Sequence, residues 1–185
     1  MGKTGRKSGL RTVMVVVVLI AADRVSTHGQ ASGTVGTPAA PNYARVRAED
    51  PALSTLIREA IVQSATFRRL VAEIQESDGI VYVVRGRCPH SVRACLLLWM
   101  AAAGPNRLLR VVVDSRRTDI DTMASVGHEL RHALEVLAER SVRTGPGMFN
   151  LYRRNGAVQG VTFETEAAVA AGDAVYRELK RSRKN

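Results

Sequence analysis

The sequence predicts a small α+β domain in which a short β-sheet packs with a central helix and a C-terminal helix. Apolar residues recur at helical spacing in three stretches, at residues 50–75, 118–140 and 164–179. Two β-branched runs, at residues 80–84 and 108–114, lie between the first and second of these stretches. Helices and strands that do not alternate regularly are typical of an α+β fold.

Local signals divide the helical stretches further. Asp50 precedes a proline, which suits the start of a helix, and Ser64 can cap a second helix or lie within a continuation of the first. Residues 96–103 are apolar and are compatible with either a strand or a buried helix. Turn residues at 144–147 precede a predicted short helix at 148–154.

The composition is that of an ordinary globular protein. Of the 185 residues, 45% are hydrophobic and 24% are charged, and only 4% are aromatic, so the core must consist mainly of Val, Leu, Ile and Ala. The formal net charge is +10. We expect the basic tail at 181–185 to be solvated, and we expect no nucleic-acid partner because no aromatic residues are interleaved with the basic ones.

The N-terminal region predicts export. Four basic residues precede an apolar run at 12–22, which is roughly half of the about 20 residues needed to span a bilayer. We therefore predict a signal peptide at 1–29, a flexible linker at 30–47 and a folded domain at 48–180, in a periplasmic or secreted protein. In the alternative, residues 12–22 stay uncleaved and form the one contact with the membrane.

The two cysteines, Cys88 and Cys95, predict a disulfide, because an even number of cysteines in an exported protein is typical of such a bond. The alternative is a metal site formed by these two residues together with His90. Three ligands in one loop, with no fourth residue in view, favour the disulfide.

The third helical stretch contains an H-E-x-x-H motif. His128 and His132 are four residues apart, so a helix presents both imidazoles on one face, where they can bind one zinc ion. Glu129 is next to the first histidine and can lie beside the metal without binding it. From there it can take a proton from a water molecule that the zinc ion has acidified.

A zinc site of this kind needs a third protein ligand. The metzincin pattern would place a histidine at position 138, which is Ala138, so that class is excluded. The remaining candidates are Glu164 and Glu166, which point about 200° apart if both are helical. Glu164 shares a face with Ala168 and Ala171, which are expected to pack inward, and we therefore predict Glu164 as the ligand.

Two stretches of the chain resemble a known family. GHELRHALEV and FETEAAVAAGDAVYREL, within about residues 50–180, are similar to the gluzincin side of the zincin metallopeptidases and to small exported bacterial proteins with this arrangement. The resemblance implies a zincin-like domain with Zn²⁺ bound by His128, His132 and Glu164. It also implies that Glu129 is the catalytic base and that the substrate is a peptide or protein.

The chain departs from the gluzincin pattern at two positions. Arg131 places a charge inside the motif, and the aspartate expected four residues after the third ligand is Ala168. That aspartate would orient one of the zinc-binding histidines. Its absence favours a second hypothesis, a non-catalytic binding module of the cell envelope that zinc stabilises.

Three further features have open interpretations. Glu135, three residues after His132, can accept a hydrogen bond from a ligand imidazole or pair with a nearby arginine. Tyr152 can stabilise an oxyanion or serve in packing. Residues 108–113 form either an edge strand that binds a substrate backbone or an interior strand.

Overall fold

The computed structural model describes residues 44–89, 92–114, 120–155, 158–159 and 162–184. The predicted signal peptide, most of the predicted linker and His90 lie outside the described residues. The described residues belong to one compact unit. The predicted α+β class is confirmed.

Eleven elements follow one another within the described residues. In chain order they are β1 (Val46–Ala48), α1 (Pro51–Gln63), α2 (Ala65–Gln75), β2 (Gly79–Gly86), β3 (Ala94–Ala103), β4 (Asn106–Asp114), α3 (Ile120–Ala138), α4 (Gly145–Arg154), β5 (Val158–Gln159), β6 (Thr162–Phe163) and α5 (Glu166–Ser182).

Two predicted caps begin the first two helices. The Asp50 carboxylate accepts a hydrogen bond from the N–H of Leu53, and the Ser64 hydroxyl accepts one from Phe67. Ser64 has extended backbone geometry, so α1 and α2 are separate helices and not one continuous helix. In α4, Thr144 is the N-cap and a proline occupies the first turn, so the predicted break at 144–147 is instead a helix start.

The main sheet has four strands in the order β1-β2-β4-β3. Strands β1, β2 and β4 are parallel, whereas β3 lies antiparallel to β4 at the edge. Residues 96–103 are therefore strand and not buried helix. Because β4 is paired on both sides, residues 108–113 form an interior strand, and β3 is the edge strand nearest α3.

Three boundaries differ from those predicted. Strand β1 begins at Val46, inside the predicted linker, because Val46 pairs with Val81 of β2. Helix α5 continues to Ser182, inside the predicted basic tail. Helix α5 also begins at Glu166, with Thr165 as its N-cap, so Glu164 precedes the C-terminal helix and is not part of it.

Helix α3 lies at the centre of the fold. It contacts strands β3 and β4 and also helices α2 and α5. Its buried residues include Val126, Leu130, Ala133 and Val136, all of which have no exposed surface. Within the described part of the chain, no helix is long and apolar enough to cross a bilayer.

Candidate metal centre

The two histidines of the motif converge on the side of α3 that lines a cleft. Their Nε2 atoms are 3.1 Å apart, and their rings meet edge to face with centroids 4.7 Å apart. His132 is 4% exposed, whereas His128 is half-buried. The i, i+4 spacing on a regular helix produces this convergence.

Glu164 completes a group of three possible ligands. Its Oε2 atom lies 3.4 Å from His128 Nε2, and the ligand atoms of His128, His132 and Glu164 are all within 4.8 Å of one another. Two ligands of a tetrahedral zinc ion with bonds of about 2.05 Å lie about 3.3 Å apart, close to the 3.1 Å between the two Nε2 atoms and the 3.4 Å between His128 and Glu164. Glu166, the exposed first residue of α5, does not belong to this group. The three residues can therefore hold a metal ion.

Thr165 determines where Glu164 lies. As the N-cap of α5, its hydroxyl accepts a hydrogen bond from the N–H of Ala168 at 3.1 Å. The same hydroxyl donates to Oε1 of Glu135 on α3 at 2.8 Å. The start of α5 is therefore attached to α3 one residue after Glu164, which places Glu164 beside His128. A threonine followed by a helix is a recognisable cap signal, but its link to Glu135 has no signal in the sequence.

Glu135 orients the second histidine. Its Oε2 atom is 3.0 Å from His132 Nδ1, an arrangement in which the Nδ1–H donates to the carboxylate and Nε2 keeps its lone pair for a metal. Although burial acts to raise it, hydrogen bonds from His132 and Thr165 leave the pKa of Glu135 below its ordinary value. Arg131 also lies near, with Nε 3.5 Å from Glu135 Oε1. An acidic partner for a motif histidine is thus present although position 168 is alanine.

His128 is prepared electrostatically to act as a neutral ligand. Burial lowers the pKa of His128 to about 4, and the neighbouring His132 acts in the same direction. The imidazole is therefore uncharged near neutral pH, the form that binds metals. A Cβ atom at Gly172 of α5 would lie only 3.2 Å from His128 Cβ, so α5 approaches this side chain closely.

Glu129 is held by the edge strand. Its Oε2 atom accepts a hydrogen bond from the backbone N–H of Leu96 in β3 at 2.7 Å. Burial raises the pKa of Glu129 to about 7, while His132 and the Leu96 N–H oppose this shift. The sequence contained no signal that Leu96 takes part, because the contact uses its backbone and depends on the packing of β3 against α3.

Tyr152 has a packing role. Its hydroxyl donates to the backbone oxygen of His132 at 3.1 Å, and its ring contacts the His132 ring edge to face. Burial raises the pKa of Tyr152. Because its hydroxyl is engaged with the helix backbone, Tyr152 supports His132 and is not placed to stabilise an oxyanion.

The candidate metal centre opens into a cleft of about 740 Å³. One wall is the edge strand β3, from Ala94 to Leu98, and residues of α3 and α5 also line the cleft. Many of the lining side chains are apolar, including Leu97, Val169 and Tyr176. The size and shape suit a small ligand or a short segment of extended chain.

The predicted disulfide joins Cys88 to Cys95 at the edge of this cleft. Both sulfur atoms are in the bond, so the alternative metal site using these cysteines is wrong. His90 lies outside the described residues.

Comparison with known proteins adds no relative: no family model, curated protein or solved structure matches this chain.

Proposed function

We propose that the chain is an exported zinc-dependent metallopeptidase in which His128, His132 and Glu164 bind the metal and Glu129 is the general base. The observation that carries the proposal is the convergence of the three ligand atoms within 4.8 Å, beside the half-buried Glu129. Two imidazoles and one carboxylate, with a fourth position left open, form a donor set typical of catalytic zinc.

A bound zinc ion would polarise the scissile carbonyl group and acidify a water molecule. The chain's own residues supply the remaining functions. Glu129, with its pKa raised to about 7, suits proton transfer near neutral pH, first from the attacking water and then to the leaving amine. Glu135 and Tyr152 keep the His132 ring in one orientation. Glu129 is in turn oriented by the Leu96 N–H.

Peptides are the substrates that the cleft suits best. Strand β3 forms one wall of the cleft, and its edge does not pair with another strand of the main sheet. Such an edge can bind an extended peptide through backbone hydrogen bonds. The Cys88–Cys95 disulfide is compatible with export, because disulfides persist in oxidising compartments.

The proposal is tested by measuring zinc content and peptide hydrolysis. The purified protein should bind one zinc ion per chain. Glu129→Gln should keep the zinc but lower kcat by at least about 100-fold, because the amide cannot act as a base. Glu139→Gln, at an exposed position just beyond α3, is the matched control and should hydrolyse peptides at the wild-type rate.

The outcomes separate the two hypotheses. A protein without bound zinc, or equal hydrolysis by wild type and Glu129→Gln, would contradict the metallopeptidase. Zinc that raises the melting temperature without Glu129-dependent hydrolysis of broad peptide libraries would instead support the non-catalytic, zinc-stabilised binding module of the cell envelope.

A further inference from the structure

The first three residues of β3 pair with β4 separately from the rest of the strand. Ala94, Cys95 and Leu96 lie opposite Val113, Val112 and Val111, and the pairing then resumes with Met100 opposite Leu109. Between these segments, residues 97–99 of β3 face a single residue of β4. This irregularity interrupts the ladder, so the pairing beyond it gives little support to residues 94–96.

The disulfide also holds the segment of residues 94–96 in place. Cys95, its middle residue, is bonded to Cys88, which comes two residues after the end of β2. The backbone oxygen of Arg93 also accepts a hydrogen bond from the N–H of Asp114 at 2.8 Å. The covalent bond therefore attaches this short edge segment to the chain that follows β2.

Leu96 connects this segment to the candidate metal centre. Its N–H donates to Glu129 Oε2 at 2.7 Å, a short, part-buried hydrogen bond to a carboxylate. A displacement of about 1 Å at a catalytic group is enough to slow a reaction strongly. Movement of Leu96 would therefore be transmitted directly to Glu129.

We propose that Cys88 and Cys95 are positioning residues, which hold the Leu96 N–H in place and through it orient the Glu129 carboxylate. The function of Glu129 as a base rests on the proposed function, whereas the link between the disulfide and Leu96 does not. The bond adjoins Leu96 in the chain, so its loss acts first on this contact.

The link between the disulfide and the Leu96 N–H is tested by amide hydrogen exchange, measured by NMR on the full chain. In the double variant Cys88→Ser/Cys95→Ser, exchange at the Leu96 amide should be at least about tenfold faster than in wild type, because local opening becomes easier. Glu129→Ala gives the exchange rate without the acceptor. Glu129→Gln, whose amide oxygen can still accept the hydrogen bond, should stay close to wild type.

A second measurement avoids dependence on the folding of the double variant. Folded wild type is treated with an excess of a dithiol reductant, which supplies two electrons and two protons, so that the disulfide becomes two thiols while the dithiol becomes its own disulfide. The same acceleration at Leu96 is expected. Met100→Ala, beyond the interruption in β3, is the control: it removes a buried side chain and should leave exchange at Leu96 within about twofold of wild type.

Kinetics then separate positioning from general loss of stability. The disulfide-free protein should show kcat at least about tenfold lower, with KM and zinc affinity within about twofold of wild type. Unchanged exchange at Leu96, or equal acceleration by Met100→Ala, would overturn the inference even in an active enzyme. Faster exchange at Leu96 in a protein that hydrolyses no peptide would support the positioning role and reject the metallopeptidase.

Discussion

Glu164 lies beside His128 because the residue after it, Thr165, is hydrogen-bonded to α3. Helical periodicity favoured Glu164 over Glu166 because it would share the inner face of the last helix. In the structure Glu164 precedes that helix, and the Thr165 cap with its hydrogen bond to Glu135 brings Glu164 to 3.4 Å from His128. The position of Glu164 thus depends on a contact between the start of α5 and α3, and not on the helical periodicity of α5.

The two neighbouring glutamates provide a matched comparison. Glu164→Gln should lower zinc affinity by at least about 100-fold, because a neutral amide replaces a carboxylate ligand. Substitution of a residue that only hydrogen-bonds to a ligand already lowers metal affinity by about 10- to 100-fold. Glu166→Gln, at an exposed position two residues later, should bind zinc as wild type does. Competition titration with a chelator of known affinity measures both, and equal affinities would remove Glu164 from the site.

At the scale of elements, the close approach of α3 and α5 depends on glycine. The sequence predicted that Ala168 and Ala171 would pack inward, and both are buried. The closest points are at Gly127, where a Cβ atom would lie 2.9 Å from Val175, and at Gly172, which adjoins His128. The helix crossing and the position of a candidate ligand are therefore linked.

A larger side chain at Gly172 should disturb both the packing of α5 on α3 and the position of His128. Gly172→Val should destabilise the fold by about 1–3 kcal/mol through overpacking, and it should also weaken zinc binding because the new methyl groups press on His128. Ala170→Val, at an exposed position on the same helix, should change stability by less than about 0.5 kcal/mol. Denaturant unfolding and zinc titration of both variants test this, and normal zinc affinity in Gly172→Val would contradict it.

At the scale of the whole molecule, Arg107 joins distant parts of the chain. Its side chain, at the start of β4, has no exposed surface and forms a bidentate pair with Asp78, which precedes β2. It also donates to backbone oxygens at the end of α3, including Val136 and Leu137. The guanidinium group therefore donates to carbonyl groups at a helix end, and the Asp78 carboxylate balances its charge.

Removing this side chain should strongly destabilise the protein. Arg107→Met is expected to cost about 3–5 kcal/mol, because it removes the buried partner of Asp78 and several hydrogen bonds to backbone oxygens, including those of Leu137 and Val142. Arg110→Met, three residues later on the same strand, removes an exposed arginine over Trp99 and should cost at most about 1 kcal/mol. The free energy of unfolding in denaturant compares the two, and similar losses would contradict the assigned role.

The same pair predicts acid sensitivity. The hydrogen bonds from Arg107 hold the pKa of Asp78 below its ordinary value. A carboxylate whose folded-state pKa is lowered stabilises the fold fully above its unfolded pKa, near 4, and loses that contribution as the pH falls through the folded value. Asp78→Asn should therefore lose less stability than wild type as the pH falls below about 4.

Asp50 also has a lowered pKa, but it does not affect the comparison between wild type and Asp78→Asn. The hydrogen bond from Arg85 lowers the pKa of Asp50 to about 2, and this pair is present in both proteins. Unfolding free energies measured across the acid range should thus converge as the pH decreases. Parallel curves for wild type and Asp78→Asn would contradict the prediction.

The sequence by itself determined the local features of the protein. Caps at Asp50 and Ser64, the helix around His128 and His132, and the strand at 108–114 follow from residue type and spacing over a few neighbours. The disulfide also followed from the cysteine count. These features depend on short-range geometry, which a linear pattern records.

Only the tertiary structure decided which distant groups meet. It placed β3 at the sheet edge, brought Leu96 to Glu129, joined Thr165 to Glu135 and buried Arg107 at the end of α3. Each of these contacts uses a backbone group or a side chain whose partner is about 30 residues away, and periodicity contains no information at that range. The physical reason is that hydrogen-bond satisfaction in a packed interior is a property of the whole arrangement.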